Sequence, residues 1–485
     1  MRRAVLALAA TVLLAGPTVI AFFAGGYFDG PRAAATAVAW ALVLLLAVAG
    51  PLPVPATLPG RVAAAALAGL AAWSAISVAW APLIGPAVDN AQRLLLYLGV
   101  LLAATAVLRD ARAIRAVEPA LAAGALVVIG YGLAGRLLPG LIELDRSFVA
   151  GGRLEQPLTY WNAEGLLAAM GFLLCVRLAG DPSRRVALRV AAAAACAPLG
   201  MGVYLSYSRG ALAVAVIGLV FLLAAAPSRP QLRAALAGLA AGTLAGLNAA
   251  AFGGVAALEG NDAAQRRDGA IVLVLLAALA AAAAFAMARM AGAERRDPDL
   301  LGTLRHAGRL PAVAGAAALA CVAGLVIGGL VESAGTGENV GAKPSRFVAV
   351  SSLRYEYWRV GADAFVEQPL LGEGSGAFRV IWRQERDVDA GAVEVHSLVV
   401  EMATELGLPG LLLLGLLLGG VAAAARRALE GKAALAPGAC AVCAAWLLHA
   451  SIDWDWQMPA VTLPALILAG GLLAESERVS AGPAG

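Results

Sequence analysis

The sequence predicts an all-α fold, a polytopic bundle of transmembrane helices interrupted by one long polar loop. Two features of the composition carry this prediction. The 485 residues are 61% hydrophobic and only 14% charged, whereas a soluble domain carries about a quarter of its residues as charged ones. In addition, about fourteen apolar runs approach the roughly twenty residues that a helix needs to cross a bilayer.

The predicted spans follow one another with short connections along most of the chain. Because many spans follow it, the first apolar run after Arg2 and Arg3 is expected to be an uncleaved helix and not a signal peptide. Several runs are rich in Ala and Gly, which lets helices approach closely in lipid. We expect 12 to 14 of the candidate spans to cross the membrane. The candidate spans lie near residues 4–24, 33–50, 62–81, 92–108, 118–135, 163–179, 190–207, 210–226, 234–253, 269–288, 310–331, 406–425, 434–452 and 459–474.

A polar segment divides the chain into three predicted parts. Residues 1–331 are expected to form N-terminal transmembrane helices, residues 332–405 a loop with short helices and candidate catalytic residues, and residues 406–485 C-terminal transmembrane helices with a short cytoplasmic tail. If the spans alternate from a cytoplasmic N-terminus, the short loops carry 21 basic residues inside and 8 outside. This asymmetry follows the positive-inside rule and predicts a multi-pass plasma membrane protein with both termini cytoplasmic and the polar loop extracytoplasmic.

The predicted side of the loop restricts the chemistry. Nucleotide-activated donors are cytoplasmic, so a reaction on the outer face needs a donor that arrives already activated, and a lipid-linked donor meets that need.

The cysteines indicate no metal site, because no second Cys/His pair accompanies Cys440 and Cys443, so inert buried thiols are expected. All five lie in apolar runs: Cys175, Cys196, Cys321, Cys440 and Cys443.

The polar loop contains the first candidate site residues. Apolar residues recur at helical spacing around Arg354, which predicts a short amphipathic helix on the membrane surface with Arg354 and Trp358 on one face. His396 is the loop's histidine and is able to exchange a proton near neutral pH, although a lone histidine is more often structural. The turn at Gly372–Gly376 lacks the strand and the lysine of a nucleotide loop, so a tight turn is expected.

Other candidates lie at the ends of predicted spans. Arg209 follows Ser208 at an outer turn, where it either binds phosphate oxygens or reaches to the interface as a structural residue. His449 and Asp453 are four residues apart, a spacing that permits contact, and structural anchoring is the favoured interpretation. Arg153 and Asn162 precede or begin a span, where they either line a cavity mouth or, for Asn162, cap the helix.

In this order, the motifs resemble the O-antigen ligase and O-antigen polymerase family of membrane glycosyltransferases. The resemblance covers roughly residues 145–415. One position departs from it, because many members have Asn where this chain has Ser397. The elements that carry it are Asn162 ahead of a span, Ser208-Arg209-Gly210, Arg354 with Trp358, the segment from Pro369 to Phe378, His396, and Glu405-Leu-Gly-x-x-Gly410.

The resemblance implies a function and a set of roles. Such proteins move a glycan from a polyprenyl diphosphate carrier to a hydroxyl acceptor on a glycan, lipid or protein, without cofactor or metal and with inversion. By the same resemblance, His396 is the catalytic position and Arg209 and Arg354 bind the donor diphosphate. Possible supporting residues are Arg153, Asn162, Trp358, Glu405, His449 and Asp453.

Three other functions stay open at this point. A glycan polymerase uses the same donor with a different acceptor, and a protein-targeting oligosaccharyltransferase is a further variant. A transporter or flippase is a different class, which would show charges within spans and broken helices in paired repeats. The sequence has few charges within predicted spans and no evident repeat, which disfavours that class.

Overall fold

The computed structural model describes residues 2–303, 342 and 353–481. Over these residues the secondary structure is helical, without a β-strand and with one isolated bridge between Ser228 and Thr303. The α-helices in this part of the chain are α1 (Arg2–Ala21), α2 (Asp29–Ala49), α3 (Leu58–Ile76), α4 (Ile84–Val107), α5 (Ala111–Leu137), α6 (Trp161–Ala179), α7 (Val186–Leu205), α8 (Arg209–Ala225), α9 (Arg229–Ala250), α10 (Gly253–Ala256), α11 (Asp262–Arg296), α12 (Arg354–Glu367), α13 (Phe378–Glu385), α14 (Leu398–Glu430), α15 (Ala436–Ala450) and α16 (Pro459–Ala481).

The predicted fold class is confirmed. Among the described residues, 11 helices are long and apolar enough to cross a membrane. Helices α8 and α15 coincide with two further predicted spans but have only 17 and 15 residues. The predicted span near residues 310–331 lies outside the described residues, as does most of the predicted loop before residue 353.

The helices fall into two compact units. The first comprises Met1–Val117, Ser352–Ala439 and Leu447–Gly485, and the second comprises Glu118–Ser351 and Cys440–Trp446. Both units have a helix enclosed by its neighbours. In the first unit this is α16, whose residues from Pro459 to Ala474 are buried, and in the second it is α6, buried from Asn162 to Ala179.

In the second unit, small residues bring helices α7 and α9 into close contact. A Cβ placed on Gly200 would lie 2.3 Å from the Cα of Gly242, so a larger residue at position 200 would force the two helices apart. Such crossings between small residues are the usual means of helix packing in lipid. The described cysteines are free, with Cys443 half-buried and the others buried.

In the first unit, helix α14 is interrupted near its start. Gly407 has φ 63° and ψ −157°, and Pro409 follows without a backbone N–H, so the helical hydrogen bonding is broken there. We call residues 398–406 the first arm and residues 408–430 the second arm. The second arm spans about 35 Å at 1.5 Å per residue, which is enough to cross the hydrocarbon core.

Helices α12 and α13 form a small core beside the first arm. Tyr357 and Val360 of α12 pack with Phe378 and Trp382 of α13 and with Val395. The predicted helix around Arg354 is therefore present, but its apolar face is buried against protein. The location of this helix on the membrane surface stays a prediction, but its apolar face is covered by the aromatic side chains of α13.

Candidate functional site

His396 lies on the segment between α13 and α14, and its surroundings fix its tautomer. The Nδ1 atom is 2.8 Å from the backbone oxygen of Glu394. A carbonyl oxygen only accepts hydrogen bonds, so Nδ1 must carry the proton and Nε2 must carry the lone pair. The backbone at His396 is left-handed, with φ 57°, a conformation that His and Asn adopt more readily than most residues.

The electrostatic environment keeps His396 neutral. Burial lowers its pKa to about 4, with the positive charge of Arg354 acting in the same direction and Asp453 opposing both. The ring lies 5.1 Å from the ring of Tyr357 and 6.3 Å from that of Trp454, measured between centroids. At neutral pH the side chain is therefore an unprotonated imidazole, the form that a general base requires.

Arg354 is the first residue of α12, and a buried carboxylate holds it. Its Nη2 atom donates to Oδ2 of Asp453 at 2.5 Å. The Arg354 side chain keeps 23% of its surface exposed, whereas that of Asp453 keeps 1%. One edge of the guanidinium is thus fixed while part of it stays accessible to an anionic ligand.

Trp358 joins Arg354 to residues 394–397, which we call the histidine segment. Its indole N–H donates to the backbone oxygen of His396 at 3.1 Å. Arg354 and Trp358 share a face of α12, as their spacing predicts. The structure therefore brings together four residues that sequence reasoning singled out separately: Arg354, Trp358, His396 and Asp453.

His449 pairs with a different aspartate from the one that its sequence spacing suggests. Nδ1 of His449 lies 2.5 Å from Oδ2 of Asp455, and both side chains are buried. Asp453, which the four-residue spacing offered as its partner, instead pairs with Arg354. The reason is that α15 ends at Ala450, so helical spacing no longer applies to the residues beyond it. His449 therefore stabilises the residues that follow α15 from a buried position in the first unit.

Glu394 fixes the other end of the histidine segment. Its carboxylate accepts from the hydroxyl of Tyr27 at 3.3 Å and lies 3.6 Å from Nη2 of Arg379. Burial raises the pKa of Glu394, and the charge of Arg379 opposes that rise. Burial together with Glu394 raises the pKa of Tyr27 to about 12. Tyr27 therefore stays a hydrogen-bond donor to this carboxyl at neutral pH.

Ser397 follows the histidine and begins the first arm. Its hydroxyl accepts from the backbone N–H of Val400 at 3.4 Å, so it is the N-cap of α14. Asn is an equally good N-cap residue. The departure from the family pattern at this position thus preserves the local structure.

Glu405, a predicted supporting residue, holds the glycine-rich turn. Its carboxylate accepts from the backbone N–H of Gly376 at 2.7 Å and from that of Phe378 at 3.4 Å. The amide of Asn90 also donates to it, at 3.4 Å. Gly372, like Gly376, has a positive φ, which fits the expected tight turn. In this structure Glu405 positions backbone and does not face the imidazole.

The same turn satisfies carbonyls that the break in α14 leaves without helical partners. The backbone N–H groups of Glu373 and Gly374 donate to the oxygens of Thr404 and Glu405, both at 2.9 Å. The indole N–H of Trp73 donates to the oxygen of Leu406 at 2.9 Å. The break and the turn are thus bonded to each other, as backbone groups within a membrane protein require.

Sequence reasoning missed a buried ion pair beside this turn. Nη2 of Arg93, within α4, lies 3.4 Å from Oε1 of Glu401, and the two side chains are 2% and 3% exposed. Arg93 also donates to Asn90 and Gln457, and the amide of Gln457 donates to Glu401 at 2.7 Å. The available signal was the polar group from Asn90 to Arg93 inside an apolar run, since charges at membrane depth are costly without partners.

The other predicted site residues belong to the second unit. Arg153 donates to the backbone oxygens of Val149 and Ala150 at 2.7 and 2.6 Å, and its guanidinium lies 3.4 Å from the ring centroid of Trp161. These contacts fix the loop before α6 through the charge and the planar shape of the guanidinium. Arg153 therefore has a structural explanation within its own loop.

Asn162 and Arg209 lie near the starts of α6 and α8. The amide of Asn162 donates to the hydroxyl of Tyr160 at 2.7 Å. Tyr160 itself is the N-cap of α6, so the interpretation of Asn162 as the cap is wrong. Arg209 is half-buried and directly follows Ser208, whose hydroxyl caps α8 by accepting from the backbone N–H of Ala211 at 3.2 Å. Capping thus fixes the backbone that carries Arg209.

Within residues 2–303 and 353–481, no group of three or more His, Cys, Asp or Glu side chains is arranged to hold a metal ion. The expectation of a metal-independent reaction rests on the family resemblance and stays a prediction.

Comparison with known proteins identifies the segment that contains the histidine. A search of curated proteins finds no match to the chain. Residues 263–415 match a protein-family model described as O-antigen ligase. The match includes Arg354, Trp358, His396 and Glu405, and it begins after Arg209, so it is narrower than the resemblance expected over residues 145–415. Residues 263–415 of this membrane protein are therefore similar to the O-antigen ligase family.

Proposed function

We propose that the protein transfers a glycan from a polyprenyl diphosphate carrier to a hydroxyl acceptor. The observation that carries this proposal is the arrangement at His396. Its lone pair is on Nε2, its pKa is lowered to about 4, and Arg354 lies beside it on a buried aspartate. A neutral base next to a cation suits a reaction in which an alcohol loses a proton while a phosphate group gains negative charge.

The proposed reaction is a single displacement. Nε2 of His396 accepts the proton of the acceptor hydroxyl while the acceptor oxygen forms a bond to the anomeric carbon. The bond between that carbon and the diphosphate oxygen breaks, and the diphosphate leaves with the electron pair. Attack from the side opposite the leaving group inverts the anomeric centre. Because diphosphate is a good leaving group, positioning and charge neutralisation are the main demands on the protein.

Arg354 is proposed to neutralise the departing diphosphate without a metal ion. Asp453 holds one edge of the guanidinium, which reduces the conformational freedom that the arginine would lose on binding. Arg209 is proposed as a second phosphate ligand, on the basis of the Ser208-Arg209-Gly210 motif. Trp358 and Glu405 are proposed to act indirectly, by fixing the histidine segment and the glycine-rich turn.

The proposed reaction takes place on the outer face of the plasma membrane. The support is the distribution of basic residues, 21 in the predicted inner short loops against 8 in the outer ones. A lipid-linked donor is delivered within the bilayer, so this location needs no soluble activated sugar. We also propose that residues 332–405 form the loop with the catalytic residues, between the N-terminal helices before residue 332 and the C-terminal helices from residue 406.

The direct test is transfer by variants of the purified protein in vesicles that contain a lipid-linked glycan and an acceptor. His396→Asn keeps a residue that tolerates positive φ, and we expect transfer to fall by about 10² to 10⁴. Arg354→Ala is expected to lower it by about 10² or more. Arg359→Ala is the matched control, since Arg359 is exposed on the same helix and pairs with half-buried Glu356 and exposed Asp387. Near-normal transfer by His396→Asn would refute the mechanism.

The products of a gene deletion distinguish the candidate functions. Unattached full-length glycan on the lipid carrier indicates loss of a ligase, and shortened glycan indicates loss of a polymerase. Accumulation of unmodified acceptor protein would indicate the oligosaccharyltransferase variant. An unchanged glycan profile would favour a transporter. Mass spectrometry of surface glycans, lipid-linked glycans and envelope proteins measures all four outcomes.

A further inference from the structure

A set of exposed apolar side chains lies where α12 meets the break in α14. We call Val366, Leu370, Leu371, Leu408 and Leu412 the apolar patch. Their exposed fractions are 74%, 68%, 48%, 48% and 65%, respectively. Large apolar side chains grouped in this way on a protein surface indicate a surface that contacts another apolar phase.

The apolar patch is continuous with a predicted membrane span. The backbone N–H of Leu408 donates to the oxygen of Pro369 at 2.8 Å, so the segment of Leu370 and Leu371 lies against the first residue of the second arm. A Cβ on Gly407 would lie 2.8 Å from the oxygen of Leu370. Since the second arm is long enough to cross the hydrocarbon core, its first turn lies near the boundary of that core.

Two tryptophans donate hydrogen bonds to the backbone next to the apolar patch. The indole N–H of Trp73 donates to the oxygen of Leu406, and that of Trp80 donates to the oxygen of Gly372 at 3.2 Å. Both tryptophans are half-buried at the end of α3, itself a candidate span. Tryptophan is enriched where the headgroups meet the acyl chains, because its ring is apolar and its N–H is polar.

We propose that the apolar patch contacts bilayer acyl chains, so that the side chains of Leu370 and Leu371 lie below the lipid headgroups. This inference rests on the membrane assignment of the second arm and not on the proposed chemistry. It refines the sequence-based expectation for α12, since the residues that meet lipid lie at and beyond the C-terminal end of the helix and not on its buried apolar face.

The proposal has a geometric consequence for His396. The first arm separates the break from Ser397 by about 14 Å, at 1.5 Å per residue along the helix. With the break held at the acyl boundary by the apolar patch, a first arm directed away from the hydrocarbon core would place the histidine segment at or above the headgroup level. A phosphate group borne by a lipid lies at that level, whereas an acyl chain does not.

Quenching by lipids tests the proposal in the full-length protein. Single cysteines are introduced by Leu371→Cys in the apolar patch, Leu416→Cys within the second arm, and Asp387→Cys on an exposed polar segment. Each is labelled with a fluorophore, and the protein is reconstituted in phosphatidylcholine vesicles with brominated acyl chains. Native cysteines are first replaced by alanine: Cys175, Cys196, Cys321, Cys440 and Cys443.

We expect brominated lipid to quench the label at position 371 at least half as strongly as the label at position 416. Iodide in the buffer should quench the labels at positions 371 and 416 less than the label at position 387. The label at position 387 should show the reverse. Quenching at position 371 no greater than at position 387 would overturn the proposal. Protection at position 371 from both quenchers would also overturn it, because protein, such as a second copy of the chain, would then cover the patch. Leu370→Cys repeats the measurement if Leu371→Cys does not fold.

Discussion

The buried pair of Arg93 and Glu401 offers a quantitative test of how the first unit is held together. The change is Arg93→Met, which keeps an unbranched apolar stem but removes the guanidinium with its charge and its hydrogen bonds. Glu401 would then remain at 3% exposure without its cation. Removing one partner of a buried pair typically costs about 3 to 5 kcal/mol, because the remaining charge stays desolvated.

A double-mutant cycle separates the pair from its surroundings. Glu401→Gln alone leaves Arg93 with the oxygens of Asn90 and Gln457, so a smaller cost is expected. In the double variant no isolated charge remains. Its cost should therefore fall short of the sum of the single costs by at least about 1.5 kcal/mol, within the range seen for residues in contact.

The measurement is unfolding of the purified protein by increasing SDS in mixed micelles, read by circular dichroism. The matched control is the same cycle on Arg426 and Glu430, a pair on α14 whose side chains are 81% and 61% exposed. Its coupling should be too small to detect, since solvent screens it. If the costs of the Arg93 and Glu401 variants add to within about 0.5 kcal/mol, the pair does not hold α4 to the first arm.

Two further predictions concern the histidine segment and the glycine-rich turn. Since burial lowers the pKa of His396 to about 4, transfer that needs its neutral form should be lost only as pH falls through about 4; a midpoint near 6.5 in the pH profile would contradict this. Asp453→Asn removes the negative charge that raises this pKa, so the midpoint of its residual activity should shift to lower pH. A Cβ on Gly374, at φ 93°, would lie 2.5 Å from the Cα of Ala81, so Gly374→Ala should lower the thermal unfolding midpoint by several degrees. Gly391→Ala, where a Cβ meets no atom within 4 Å, should leave that midpoint unchanged, and equal midpoints for the two variants would contradict the argument.

Hydropathy was sufficient to predict the membrane helices, because a span has to be about twenty apolar residues long whatever it packs against. It was not sufficient for the surroundings of α12. The helical spacing of Tyr357 and Val360 predicted an apolar face but not its partner, and the partner is α13, which the sequence did not distinguish from the rest of the polar loop.

Pairings between distant residues were the least predictable part of the site. Local spacing offered Asp453 to His449, but Arg354, about a hundred residues away in the sequence, binds that carboxylate instead. Sequence reasoning did not single out Arg93. Its role depends on Glu401 and Gln457, which approach it only when three separate helical segments assemble. One sequence contains no direct record of such contacts.

The bonds between the break in α14 and the glycine-rich turn have a consequence for protein engineering. Each supplies what the other lacks, since the carbonyls of Thr404 and Glu405 meet the N–H groups of Glu373 and Gly374. A chimera that exchanged only residues 398–410 would keep the donors of these bonds but replace the segment that positions the acceptors, so the bonds would form only if the new segment followed the same backbone path. The smallest portable unit is therefore residues 369–410 as one block, so recombination points within residues 263–415 belong outside those limits.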